Sequence, residues 1–184
     1  MAGANEVLLV RHGETDDNAA ARFQGRIDTP LNDRGREQSR ALAGALAGEG
    51  LRALYSSPLA RARETAEIVG EQLGLALVLD PRLMEADAGA WSGMLSADII
   101  AADADAFAAW RARRPGFRFP GGESVEEQDA RVAAALLDVA AGPLPALVVT
   151  HGGAIRAVEG LELPGGSVPN CALFRVPAPL PTTS

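Results

Sequence analysis

Short apolar runs alternate along this chain with longer stretches of helical periodicity. Runs at residues 6–10, 53–56, 76–79, 146–150 and 171–176 are each bounded by glycine, proline or polar residues and predict β-strands. Between them, Asn32 or Asp33 caps a predicted helix reaching about residue 47, with Leu42, Ala45 and Leu46 on its apolar face and Gly48 near its end. A second helix is expected over 60–73, stopping before Gly74. Ser124-Val125-Glu126-Glu127 has capping-box spacing and opens an Ala/Leu-rich helix to about residue 141. Residues 94–114 read as one or two helices, followed by a Pro/Gly-rich loop over 115–122, an excursion suited to a small lid.

Strands alternating with helices imply right-handed crossovers and a mainly parallel sheet. The expected fold is therefore α/β, a three-layer sandwich with helices on both faces of the sheet. At 184 residues the chain suits a single domain over 1–176, with an extended Pro-rich tail over 177–184.

Composition narrows the function classes. Apolar residues make up 47% and charged residues 22%, and no run approaches the roughly 20 apolar residues that span a bilayer. The net charge of −7 argues against a broad nucleic-acid surface, so any positive field must be local. No export signal is expected ahead of the first strand, and Cys171 is the single cysteine, so no internal disulfide or Cys-rich metal site is expected. A cytoplasmic location is expected. Cys171 reads as a small apolar residue of the last strand.

Both histidines in the chain are followed by glycine where an apolar run ends: Arg11-His12-Gly13-Glu14-Thr15 and Thr150-His151-Gly152-Gly153. Ligands of open α/β sheets bind beyond the carboxyl ends of strands, so two such pairs can converge on one pocket. An arginine beside a histidine, followed by glycine, sets a planar cation and a nucleophilic imidazole where backbone approaches an oxyanion closely. Phosphate is the ligand this chemistry suggests.

These blocks, with Ser57-Pro58-Leu59-Ala60-Arg61-Ala62, Thr65-Ala66, and Glu85 ahead of Gly89-Ala90-Trp91-Ser92-Gly93, occur in an order that resembles the histidine phosphatase superfamily. The resemblance is to its phosphoglycerate-mutase-like branch and runs from residue 6 to about residue 158. It implies that His12 is a nucleophile carrying a phosphohistidine, its other ring nitrogen held by a backbone carbonyl. Arg11 and Arg61 match the phosphate clamps and His151 the second histidine. Arg61 would lie in the first turn of a helix, where the helix dipole adds positive charge. Arg63, about 200° further around, should face elsewhere. Asn18 matches a phosphate or substrate contact, Gly152 an amide donor, and Gln24-Gly25 a loop bordering the pocket. The resemblance implies neither a metal nor a cofactor.

Glu85 matches the family's acid/base. Glu14, Asp87 and Glu123 are its competitors, Glu14 as a loop residue and Glu123 as either a substrate contact or a neighbour of the helix cap. Trp91 and Trp110 are either cleft or core residues. Arg111, Arg113 and Arg114 either form a solvated helix end or hold a second anionic group.

What the resemblance implies is a phosphomonoesterase acting on a small phosphorylated metabolite. The alternatives are a cofactor-dependent phosphoglycerate mutase and a non-catalytic regulatory domain that binds phosphate esters. The compact stretch over 91–122 favours the phosphatase, and the segment Phe117 to Ser124 resembles small phosphatases, both broad-specificity members and those assigned to α-ribazole phosphate. After Arg156 the chain is shorter than is usual in the family, which suggests one open wall or a wall supplied by a partner chain. A homodimer is left open as the assembly.

Overall fold

The computed structural model describes residues 3, 5–158, 161 and 167–178. The elements are β1 (Glu6–Arg11), α1 (Asp16–Ala19), α2 (Asp33–Leu46), β2 (Ala53–Ser56), α3 (Ala60–Leu73), β3 (Leu77–Leu79), α4 (Ser96–Ala102), α5 (Ala104–Arg111), α6 (Val125–Ala140), β4 (Ala146–Thr150), α7 (Gly152–Arg156) and β5 (Leu173–Pro177). Their sheet has the order β3-β2-β4-β1-β5, parallel throughout except for β5, which pairs antiparallel to β1. The fold is a mixed α/β sandwich with a mainly parallel sheet at its centre.

Alternation within the central strands builds both cores. Leu8 and Val10 of β1 and Leu147 and Val149 of β4 meet Leu42, Leu46, Ala62 and Val69 of α2 and α3 on one face. Val7, Leu9, Ala146 and Val148 meet Val132, Leu136 and Val139 of α6 on the other. Strands covered on both faces are apolar at every position, which explains why β1 and β4 read as continuous runs. Truncating Leu8 or Leu147, both fully buried, to alanine should cost about 2–5 kcal/mol.

Local chemistry sets the helix ends. Asn32 caps α2 by accepting from the Gly35 amide at 2.8 Å. Ser124 and Glu127 form the expected capping box of α6, and Gly74 closes α3 in the left-handed conformation at φ 67°. The apolar face of α2 carries Leu42 and Leu46 as expected and differs at one alanine: Ala43 is buried, while Ala45 is exposed. Cys171 lies in the turn before β5 rather than within it, with φ 55°. Its amide donates to the Arg11 carbonyl at 3.0 Å.

The 94–114 excursion is two helices, α4 and α5. A satellite core gathers both tryptophans with Phe23, Phe107, Phe117 and Phe119 beneath them. Among the described residues, no helix is long and apolar enough to cross a membrane. Most of the tail (179–184) and of the segment after Arg156 (159–160 and 162–166) lies outside the described residues.

Candidate active site

Strand order brings the two histidines together. β1 and β4 are neighbours with Arg11 opposite Thr150, and the His12 amide donates to the Thr150 carbonyl at 2.9 Å. His12 and His151 thus leave adjacent strand ends, both buried, with ring centroids 5.2 Å apart.

Hydrogen bonds define the His12 tautomer. Nδ1 lies 2.7 Å from the Gly13 carbonyl oxygen, which can only accept, so Nδ1 carries the proton. Nε2 is therefore unprotonated, its one lone pair accepting from Arg61 Nε at 3.2 Å. Burial, followed by the charges of Arg11 and Arg61, holds the imidazole well below the usual histidine value, against the opposing pull of the Gly13 carbonyl. The ring is neutral at neutral pH. His151 is held low in the same way, by burial first and then by Arg61, His12 and Arg11. Its Nε2 lies 2.8 Å from Ser57 Oγ, and its Nδ1 is buried without a partner.

Arg61 sits in the first turn of α3 and is 1% exposed. Besides His12 it donates to the carbonyls of Ile27 and Gly25, each at 2.8 Å. Burial pushes its guanidinium down to about 10 while Glu85 opposes the shift, so it stays charged at neutral pH. Arg11 ends β1, donates from one terminal nitrogen to the Val168 carbonyl and keeps a buried, unpartnered Nε. Arg63 faces solvent and pairs with Glu67 at 3.6 Å, as its position on the helix predicts.

Glu85 is fixed by three N–H donors. Oε1 accepts from the Ala86 amide at 2.9 Å and from Gln128 Nε2 at 3.0 Å. Oε2 accepts from the Gly153 amide at 3.0 Å. A carboxylate offers about four lone-pair positions, so one remains, on Oε2. A Cβ at position 153 would press on Glu85 Oε1 and displace that carboxylate, so the glycine leaves room for the acid. The competing acids are used elsewhere: Glu14 accepts from Asn32, Asp87 from the Gly89 amide, and Glu123 binds Arg131.

A cavity of about 210 Å³ opens over these groups, lined by Arg11, His12, Asn18, Gln24, Gly25, Arg61, Glu85 and Gly153, with Phe23, Trp110 and Phe119 as its aromatic wall. His151 is not in its lining, and Gly152 lines an adjoining cavity instead. Asn18 Oδ1 accepts from Asn170 Nδ2 at 3.1 Å, and Gln24 is buried with Oε1 unpartnered. Trp91 is a core residue, whereas Trp110 serves both core and cavity. The three arginines separate: Arg113 binds Asp129 and the Gly153 carbonyl, Arg114 faces solvent, and Arg111 lines the adjoining cavity.

Several residues that hold the site escape a reading of the sequence. Thr65 Oγ1 accepts from the Gly13 amide at 3.0 Å and donates to the Arg61 carbonyl at 2.7 Å. Asn170 Nδ2 donates to the His12 carbonyl at 3.0 Å. Gln128 and Arg131, three apart and so on one face of α6, reach the Glu85 side chain and the Glu85 carbonyl respectively. Ser57 and Thr65 stand within recognisable motifs, which was a usable signal; nothing in the sequence ties residues 128, 131 and 170 to the histidines.

Comparison with known proteins agrees with this geometry. The pattern of the histidine phosphatase superfamily (branch 1) matches residues 7–172. The probable phosphoglycerate mutase GpmB of Photorhabdus laumondii is 36% identical, with 93% of this chain and 84% of the relative covered. Mycobacterial glucosyl-3-phosphoglycerate phosphatase Rv2419c, solved with VO3, superposes with a TM-score of 0.84 at 32% identity, covering 94% of this chain and 91% of that one. TTHB049 of Thermus thermophilus superposes at 0.79 with 37% identity, covering 95% of each chain. The chain belongs to the histidine phosphatase superfamily, branch 1.

Proposed function

We propose that the protein is a metal-independent phosphomonoesterase that hydrolyses a small phosphorylated metabolite in the cytoplasm through a phosphohistidine at His12. The observation that carries this reading is the fixed tautomer of His12, whose Nε2 lone pair is turned toward Arg61 inside a buried cationic pocket. A neutral, oriented imidazole is the nucleophile that phosphoryl transfer needs.

In the first half-reaction Arg61 Nε releases His12 Nε2 and turns to the phosphate, the freed Nε2 lone pair attacks phosphorus, and the bond to the ester oxygen breaks. Glu85, protonated at Oε2, gives its proton to the departing alkoxide. In the second, Glu85 takes a proton from water as that water attacks phosphorus, the N–P bond breaks, and inorganic phosphate and the original enzyme result. Arg11 and Arg61 stabilise the non-bridging oxygens, the unpartnered Arg11 Nε gaining a partner when an oxyanion is seated, with the His151 ring 5.2 Å from that of the nucleophile. Asn18, Gln24 and the loop at Gly25 border the phosphate, and the Gly152 amide adds a donor at the start of α7.

A phosphoglycerate mutase is the second reading, favoured by the names of the GpmB relatives. It differs in the fate of the phosphohistidine, which returns to a bound acid instead of going to water. The test is phosphate release from a panel of phosphomonoesters without added metal, with His12→Ala alongside. Release that depends on His12 supports the phosphatase. Interconversion of 3- and 2-phosphoglycerate on adding the bisphosphate, without release, supports the mutase.

A further inference from the structure

The turn ahead of β5 closes over the carboxyl end of β1. The Arg11 guanidinium donates to the Val168 carbonyl, the Cys171 amide donates to the Arg11 carbonyl at 3.0 Å, and the Arg11 amide donates to the Ala172 carbonyl at 3.3 Å. Asn170 is half-buried in this turn. It lies 152 positions from Asn18 in the sequence and touches it in the fold.

Backbone groups fix the orientation of both side-chain amides. The Thr15 N–H can only donate, so the atom it meets at 3.3 Å is Asn18 Oδ1. The His12 carbonyl can only accept, so the atom 3.0 Å from it is Asn170 Nδ2. The second N–H of Asn170 then meets Asn18 Oδ1 at 3.1 Å. Both N–H bonds of Asn170 and both lone pairs of Asn18 Oδ1 are thereby used. Flipping Asn18 would set donors against donors, and flipping Asn170 would set acceptors against acceptors.

Asn18 must therefore turn its own NH2 group away from Thr15 and Asn170, and it borders the cavity that holds His12 and Arg61. Asn170 is absent from that lining. The Thr15 bond alone is a weak restraint, since 3.3 Å is beyond the usual range for N–H···O. The shorter bond from Asn170 is the one that holds the amide.

We propose that Asn170 is a positioning residue for the phosphate site, which keeps the Asn18 N–H donors facing the non-bridging oxygens and ties them to the backbone of the nucleophile. Asn170 acts through Asn18 and not on the phosphate itself. The inference rests on the reading of the His12 cavity as a phosphate site and is independent of the fate of the phosphoryl group.

The test is a double-mutant cycle read by calorimetric binding of inorganic phosphate, which needs no turnover. Asn18→Ala should weaken binding about 10- to 100-fold, the worth of a hydrogen bond to a charged group. Asn170→Leu is close in size and has no donor. It should weaken binding about 10-fold when Asn18 is present and about 3-fold or less beside Asn18→Ala, because neighbours that act together are not additive. An equal factor in both backgrounds would overturn the inference, since a merely structural role lowers affinity whether or not Asn18 is there. So would an affinity that Asn18→Ala leaves unchanged.

If Asn170→Leu protein does not fold, the cycle is run with Asn170→Ser, which keeps one donor on a small polar side chain. A loss that shrinks beside Asn18→Ala supports the inference, and equal losses overturn it. Wild-type protein that binds no phosphate removes the phosphate-site reading and the inference together, whereas binding without coupling removes the inference alone.

Discussion

Arg61 Nε donates to His12 Nε2 at 3.2 Å, while its two terminal nitrogens hold the carbonyls of Ile27 and Gly25. One planar fork thus positions the nucleophile and the loop that borders it. Lysine keeps the charge but cannot reach three acceptors in one plane. Arg61→Lys should lower kcat/KM by about 100- to 1000-fold, within the range seen when a transition-state donor is lost, with little change in the circular dichroism spectrum. Steady-state kinetics on the preferred ester checks this.

Gly153 and Glu85 are fitted to each other through the amide bond at 3.0 Å and the absence of a Cβ. Gly153→Ala should push the carboxyl aside and lower kcat by about 100-fold, the low end of the contribution of general acid–base catalysis. Phosphoenzyme formation with an activated aryl phosphate, whose leaving group needs little protonation, should suffer less. Pre-steady-state kinetics with aryl and alkyl phosphates separates the two.

Position 35 is a structural counterpart. A Cβ on Gly13 would lie 2.5 Å from the Gly35 carbonyl oxygen, and one on Gly35 would overlap the Glu14 carbonyl. Gly35→Ala should destabilise the fold by about 2–4 kcal/mol, since the obstacle is backbone. Urea denaturation followed by tryptophan fluorescence measures it.

The neutral histidines make stability depend on pH. Both His12 and His151 are held well below the ordinary value in the folded state, burial being the first cause in each. Below about pH 6.5 the unfolded chain binds protons that the folded one does not. Stability contributed by the neutral rings is therefore fully present above that pH and is lost as pH falls from about 6.5 toward the folded values. Each ring should add a slope approaching 1.4 kcal/mol per pH unit there. His12→Gln should flatten the dependence between about pH 6.5 and 5 by that amount, as measured by urea midpoints across the range.

How far the sequence reveals this structure varies with the physics involved. β1 and β4 were legible because a strand buried on both faces must be apolar throughout, and His12, Arg61, Glu85 and His151 because their motifs repeat the order of a known family. The apolar face of α2 holds Leu42 and Leu46 as expected but Ala43 in place of Ala45, since alanines on either side of the two leucines give periodicity little to choose between. The four-residue α1 is too short to carry any periodicity, although the Thr15–Asn18 capping box that starts it also orients Asn18. The contacts of Asn170 and Arg131 are long-range, and no local pattern encodes them.

The most direct test of the account is chemical trapping of the intermediate. Acid quenching destroys phosphohistidine and base preserves it, so the enzyme should be mixed with substrate, quenched in base within milliseconds and digested for mass spectrometry. The account predicts a phosphoryl group on the peptide bearing His12, absent in His12→Ala and accumulating in Glu85→Gln when an aryl phosphate is used. A phosphoryl group found on His151 instead, or turnover at the wild-type rate by His12→Ala, would contradict it.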